Sequence, residues 1–216
     1  MPFKLLQSAI DYVQANPERF NDALTQHFQL SVSAIGIAVL LAFPLGVLWY
    51  RNSLFLSVGM PLLSGFRVIP GLAVLALMIP LLGTGQKPAL LALVILAVPP
   101  ILMNTVLGLS QASPEMEEAA LGLGMRQWEV FRRVILPLGL PTMITGLRTA
   151  VVEVVAGATL AALIGGGGMG VFIINGLSMY NFSLLLVGTL PVAAMALLAE
   201  IGLGRLEHQL TRYRVC

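Results

Sequence analysis

The side chains best placed to act on something in water lie in one charged stretch between two apolar segments. Residues 114–137 carry seven charges: Glu115, Glu117, Glu118, Arg126, Glu129, Arg132 and Arg133. The flanking segments are nearly free of charge, so we expect this loop to contact a partner in water.

The other reactive side chains predict no catalytic centre and no metal site. Glu153 has no second carboxylate at catalytic spacing, His27 and His208 are far apart, and the single cysteine is the last residue, Cys216. The glycine run at 165–170 lacks the Lys-Ser/Thr that follows in a phosphate-binding loop. We therefore expect no catalytic residues and no cofactor bound by this chain.

The elements that position the charged loop are membrane-spanning helices. The chain has 216 residues, of which 57% are hydrophobic and only 10% charged. Soluble domains carry about a quarter charged residues. The composition therefore predicts an all-α, polytopic membrane protein, and the net charge of +2 is too small to suggest a nucleic-acid partner.

Five apolar segments are long enough to cross a bilayer, which takes about 20 residues. They comprise residues 28–50, 54–82, 89–109, 138–164 and 182–203. Pro61, Arg67 and Pro70 interrupt the second segment, residues 83–88 form a turn, and the glycine run ends the fourth. We divide the chain into an amphipathic N-terminal segment (1–27), a transmembrane domain (28–205) and a C-terminal tail (206–216).

Arginine placement predicts the orientation. With the charged loop in the cytoplasm, the cytoplasmic cations are Arg51, Arg126, Arg132, Arg133, Arg205, Arg212 and Arg214, and the external ones are Lys4, Arg19 and Lys87. This imbalance agrees with the positive-inside rule. Five spans then place the N-terminus outside and the C-terminus in the cytoplasm.

Within the loop, residue types predict a helix–turn–helix along the cytoplasmic surface. Pro114 and the acids after it suit a first helical turn, where the helix dipole favours negative charge. Ala119 and Ala120 offer a small surface that another protein can approach. Gly124 permits a turn that a side chain would resist, and residues 125–133 are predicted to form a second short helix.

This pattern resembles the EAA loop of ABC-importer permeases. The loop reads Glu-Ala-Ala, three residues, Gly, nine residues, an aliphatic residue, any residue, then Leu-Pro. The matching positions are Glu118, Ala119, Ala120, Gly124, Val134, Leu136 and Pro137. The resemblance implies that these residues, with Arg126, couple the permease to its ATPase through residues 114–137.

Softer matches resemble the subfamily that imports quaternary-ammonium osmoprotectants: glycine betaine, choline and carnitine. They lie at residues 69–73, 79–83, 161–165 and 190–193. The resemblance implies a second permease subunit of the same or a different chain, two cytoplasmic ATPases that bind ATP and Mg, and an external substrate-binding protein. The alternatives are a permease of this family for methionine or another amino acid, a small secondary transporter, an intramembrane enzyme and a structural subunit.

Three charged or kinked positions inside spans are predicted to line the translocation pathway: Arg67, Pro70 and Glu153. At about 1.5 Å per residue, Arg67 lies ~20 Å from Leu54 and Glu153 lies ~22 Å from Leu138. Their similar depth suggests an ion pair, although each could be satisfied separately. For Arg148, which is shallower, we expect the side chain to snorkel to the cytoplasmic surface.

Overall fold

A computed structural model of the chain describes residues 2–212, so Arg214 and Cys216 lie outside the described residues. Every regular element within residues 2–212 is helical, which confirms the all-α prediction. The α-helices are α1 (Pro2–Ala15), α2 (Pro17–Trp49), α3 (Met60–Phe66), α4 (Gly71–Leu82), α5 (Gln86–Leu109), α6 (Pro114–Gly122), α7 (Gln127–Val130), α8 (Leu136–Ala161), α9 (Gly170–Ser178) and α10 (Phe182–Arg212). Two π-helical turns, Phe55–Gly59 and Phe131–Ile135, precede α3 and α8, and a 3₁₀ turn, Ala162–Ile164, follows α8.

Four helical segments are long and apolar enough to cross a membrane: Pro17–Trp49, Gln86–Leu109, Gln127–Ile164 and Phe182–Thr211. The bent pair Phe55–Phe66 and Gly71–Leu82 makes a fifth when it is counted as one span. The predicted interruption of the second span therefore falls between α3 and α4. Pro70 explains the break, because proline disfavours the helical conformation in the residue before it.

Two predicted boundaries are wrong. Residues 86–88, predicted as part of a turn, form the first turn of α5, where a proline at the start of a helix loses no hydrogen bond. The predicted second helix of the loop, residues 125–133, begins only at Gln127 and does not end at Arg133. It continues through the π-helical turn into α8, and this continuation buries both Val130 and Ile135 in one hydrophobic core.

The described residues form two compact units. The first lies within Met1–Ile37, Ile69–Ala97 and Val151–Ala199. Its core contains Ala9, Val155, Met169, Phe172, Leu184, Val187 and Val192. The amphipathic helix α1 joins this core through Tyr12, whose ring meets the Phe172 ring edge-on at 6.0 Å.

The second unit lies within Ala38–Val68, Val98–Ala150 and Glu200–Cys216. A Cβ on Gly139 would lie 2.9 Å from the carbonyl carbon of Gly108, so α5 and α8 meet backbone to backbone there. Such contacts between small residues are typical of helices packed in membranes. Beside this crossing lies a second core, formed by Leu109, Ala112, Ala120, Val130 and Ile135, which supports the charged loop.

Candidate functional site

Helix α6 is fixed at its start by local capping. The Ser113 hydroxyl accepts a hydrogen bond from the Met116 amide at 3.4 Å, and Pro114 occupies the first helical turn. Glu115 and Glu117 lie in that same turn, where the dipole favours acids. A hydrogen bond with Ser113 lowers the pKa of the Glu115 carboxyl, so this end of α6 stays negatively charged at neutral pH.

The turn after α6 requires glycine at one position. Gly124 adopts a φ of +85°, a conformation that residues with a Cβ rarely adopt. Immediately afterwards the Arg126 amide donates to the Glu129 carboxylate at 2.9 Å, which starts α7. The turn therefore needs glycine at position 124 because the backbone there has a positive φ.

The structure separates the predicted coupling residues into buried and exposed sets. Ala120 is buried in the second core, whereas Val134 and Leu136 are half-buried against it. Exposed members are Glu118, Ala119, Gly124, Arg126 and Pro137. Around them lie apolar side chains in contact with solvent, including Leu123 at 81% exposure. The surface thus combines acids with uncovered apolar area, as a protein-binding site does.

An ion pair that the sequence analysis missed holds α6 in place. Arg51, in the turn after α2, donates to the carboxylate of Glu117. The Arg51 guanidinium also lies 5.2 Å from the Tyr50 ring centroid, and the Ser110 hydroxyl donates to the Tyr50 carbonyl at 3.2 Å. The sequence offered only a weak signal, a lone arginine at the end of a span and an acid 66 residues away.

Arg148 is paired with two acids of another helix, and its snorkelling to the cytoplasmic surface stays a prediction. Its guanidinium donates to Glu200 and, at 3.1 Å, to Glu207, both on α10. Thr145 donates to the other oxygen of Glu207 at 2.8 Å. Gly204 leaves room for the guanidinium, which lies 3.6 Å from the position that a Cβ there would occupy. The sequence feature that could have predicted this cluster is the pair Glu200 and Glu207, which lie seven residues apart on one face of α10 and flank Gly204.

Of the three predicted pathway residues, two lie at the break in the second span. Arg67 follows the end of α3, and Pro70 precedes α4 with a ψ of 131°. The chain from Leu54 to Phe66 is helical, so the break lies beyond the stretch from which the depth of Arg67 was reckoned. Glu153 lies half-buried within α8. Its pairing with Arg67 stays a prediction.

In the first unit, the glycine run is closely packed against α2. Gly165, Gly167 and Gly168 have positive φ angles between 74° and 81°. The Gly168 amide donates to the Gln26 side chain at 3.2 Å. Next to it, His27 is fully buried, and its Nε2 lies 3.2 Å from the Val155 carbonyl. Among the described residues no cluster of three metal-ligating side chains is present.

With this geometry in view, comparison with known protein families decides the family. Residues 34–212 match the family described as binding-protein-dependent transport system inner membrane component. The chain belongs to this family. The permease is therefore a multi-pass protein of the inner membrane, as the sequence predicted.

Its curated relatives extend along almost the whole permease. The carnitine transport permease protein OpuCB of Listeria monocytogenes is 37% identical, covering 95% of this chain and 94% of the relative. The choline transport system permease protein OpuBB of Bacillus subtilis is 35% identical, covering 94% and 93%. The osmoprotectant import permease protein OsmW of Salmonella typhimurium is 34% identical, covering 94% and 96%. These relatives confirm the resemblance to the osmoprotectant subfamily.

Solved structures confirm the permease fold. The inward-facing MetNI methionine ABC transporter aligns with a TM-score of 0.77 at 19% identity, covering 88% of this chain and 95% of that chain. At this identity the match establishes the fold alone. The architecture is that of an ABC-importer permease.

Proposed function

We propose that this permease imports quaternary-ammonium osmoprotectants, namely glycine betaine, choline or carnitine. The observation that carries the proposal is the set of curated relatives named for carnitine, choline and osmoprotectant transport, which align over more than nine-tenths of the chain. Carnitine and choline, the solutes in two of these names, both carry a trimethylammonium group.

The chain itself performs no chemistry in this proposal. A partner ATPase binds ATP and Mg in the cytoplasm, and α6 docks into it with its exposed acids, Ala119 and the apolar side chains of the turn. An external substrate-binding protein delivers the solute, and a second permease subunit completes the pathway. The permease stands with its N-terminus outside and its C-terminus in the cytoplasm, and Arg67, Pro70 and Glu153 line the path.

A second candidate solute comes from one further relative. The ergothioneine transport permease/ergothioneine binding protein EgtU of Helicobacter pylori is 39% identical over 165 residues, covering 76% of this chain but 30% of that protein. Ergothioneine carries a trimethylammonium group, as carnitine and choline do. Methionine remains the amino-acid alternative, with support only at the level of the fold.

The test begins with the tagged chain purified from its native membrane in mild detergent. We expect mass spectrometry to find a Walker-type ATPase among its companions. Reconstituted in vesicles with its binding protein, the complex should take up labelled betaine, carnitine or choline only with ATP. Uptake of ergothioneine or methionine instead would replace the solute, and the absence of any ATPase would contradict an ATP-driven importer.

A further inference from the structure

A cleft at the start of the fourth span lies within the loop 114–137 but is lined by none of the individually predicted coupling residues. We call it the arginine cleft. It measures about 450 Å³ and is lined by Trp128, Glu129, Arg132 and Arg133. Trp128 is 66% exposed, and both arginines are exposed. A large aromatic side chain and two cations thus face outward beside an uncharged membrane segment.

The local helix geometry produces this arrangement. Val130 and Ile135 are buried in the second core, which fixes one face of the segment inward. Arg132 and Arg133 lie between these two positions, in the π-helical turn Phe131–Ile135, and both are on the exposed side of the segment. Trp128 stacks on Phe131 at 5.7 Å between ring centroids, and this contact holds the indole at the edge of the cleft.

The lining of the cleft carries a net positive charge, because two arginines face one glutamate. One oxygen of the Glu129 carboxylate accepts the hydrogen bond of the Arg126 amide at 2.9 Å, at the start of α7. Within residues 4–211, Arg51 and Arg148 form ion pairs with glutamates. Arg132 and Arg133 form none with a described residue.

The surroundings determine which anion fits. Two guanidinium groups suit the oxygens of a phosphate, which they can bind in a bidentate manner. Tryptophan prefers the level of the lipid headgroups. Residues 134–147, which follow the arginines, carry no charge, and they belong to a segment that is long and apolar enough to cross the membrane. These features point to a position at the level of the lipid headgroups.

We propose that the arginine cleft binds the phosphate headgroup of an anionic phospholipid. Arg132 and Arg133 hold the phosphate, and Trp128 lies against the glycerol and upper acyl region. Helix α6 keeps its exposed acids for the ATPase, so the two halves of the loop contact different partners. The proposal does not depend on which solute the permease carries.

Fluorescence quenching tests this directly, because the chain has two tryptophans. The Trp49→Phe variant leaves Trp128 as the only tryptophan of the permease and retains an aromatic ring beside Phe55, with which Trp49 makes a ring contact. The full-length chain is reconstituted without tryptophan-containing partners in phosphatidylcholine vesicles. Brominated phosphatidylglycerol or brominated phosphatidylcholine is then added at equal mole fraction.

We expect the anionic quencher to be more effective by about twofold or more, because it is enriched at the cleft. Arg132→Gln/Arg133→Gln should abolish this excess, and each single change should reduce it if the double variant fails to fold. Arg205→Gln, which also removes an exposed arginine, is the matched control and should retain it. Equal quenching by both lipids, or an excess that survives the double change, would overturn the proposal.

Two further arms separate other occupants of the cleft. Inorganic phosphate, compared with chloride at equal ionic strength, should not change the excess quenching by the anionic lipid. If phosphate abolishes that excess quenching, the cleft is assigned to free phosphate. Adding the ATPase subunit, with its own tryptophans replaced by phenylalanine, should also leave the quenching unchanged. If the ATPase protects Trp128, the cleft belongs to the ATPase interface and the lipid assignment is wrong.

Discussion

The guanidinium of Arg148 lies 3.1 Å from a carboxylate oxygen of Glu207 and also donates to Glu200, one helical turn to either side of Gly204. Two acids and one base leave the cluster with a net negative charge. Ionisable groups in membrane segments are costly unless they are paired. This cluster therefore ties α8 to the C-terminal part of α10.

Removing the positive charge of Arg148 is expected to destabilise the protein more than removing the negative charge of Glu200. Arg148→Gln leaves two carboxylates facing each other, whereas Glu200→Gln leaves a neutral one-to-one pair. We expect the first change to lower the apparent Tm of the detergent-purified chain by several degrees, and the second to have a smaller effect. Thermal unfolding by size-exclusion or nano-scale fluorimetry measures both.

A triple change distinguishes a direct interaction among the three side chains from a general loss of charge. Arg148→Gln combined with Glu200→Gln and Glu207→Gln should be more stable than Arg148→Gln alone, because the isolated carboxylates are gone. Strictly additive losses would show that the three side chains contribute separately.

Gly124 and Gly122 form a matched pair of glycines. A Cβ on either would meet no heavy atom within 4 Å, but only Gly124 has a positive φ, of +85°. We expect Gly124→Ala to cost about 1–2 kcal/mol through backbone strain and to lower ATP-driven uptake. Gly122→Ala, at the end of α6, should be neutral or slightly stabilising. Similar uptake by the two variants would mean that the turn is not needed for coupling.

The Arg51–Glu117 pair is expected to orient α6 rather than to stabilise the whole fold. Such pairs near a surface contribute roughly 0.2–1 kcal/mol, too little to unfold the protein. Glu117→Arg should therefore reduce ATPase stimulation while leaving the Tm nearly unchanged. The charge swap Arg51→Glu/Glu117→Arg should restore much of the activity. Glu18→Gln, which removes an exposed acid in the first turn of α2 and outside the loop, is the control and should behave like the wild type.

The glycine run supplies a prediction about stability. Gly168 has a φ of +75°, and a Cβ there would lie 3.2 Å from three atoms of buried His27. Gly168→Ala would thus strain the backbone and crowd the new methyl group against His27. We expect it to lower the free energy of unfolding by about 1–3 kcal/mol. Gly36→Ala, where a Cβ meets nothing within 4 Å, serves as the control in the same unit. Equal Tm values for both variants would contradict the close packing of the glycine run against α2.

Features that depend on neighbouring residues could be predicted from the sequence. The spans follow from the length of apolar runs, and the break between α3 and α4 follows from Pro70. The turn at Gly124 was likewise predictable from local residue types. The end of the second loop helix could not be predicted from local residue types. Its continuation into α8 through a π-helical turn depends on burying Val130 and Ile135 against α5 and α6 residues.

The amino-acid sequence by itself thus determined the helical class, the approximate spans and the loop whose pattern is that of the permease family. Only the tertiary structure decided that Arg51 pairs with Glu117 and that Arg148 pairs with Glu200 and Glu207, residues 52 to 66 positions apart. The physical reason is that hydrophobicity and turn chemistry act along the chain. Ion pairing instead depends on how each helix is rotated and packed against a distant one, which no local pattern records.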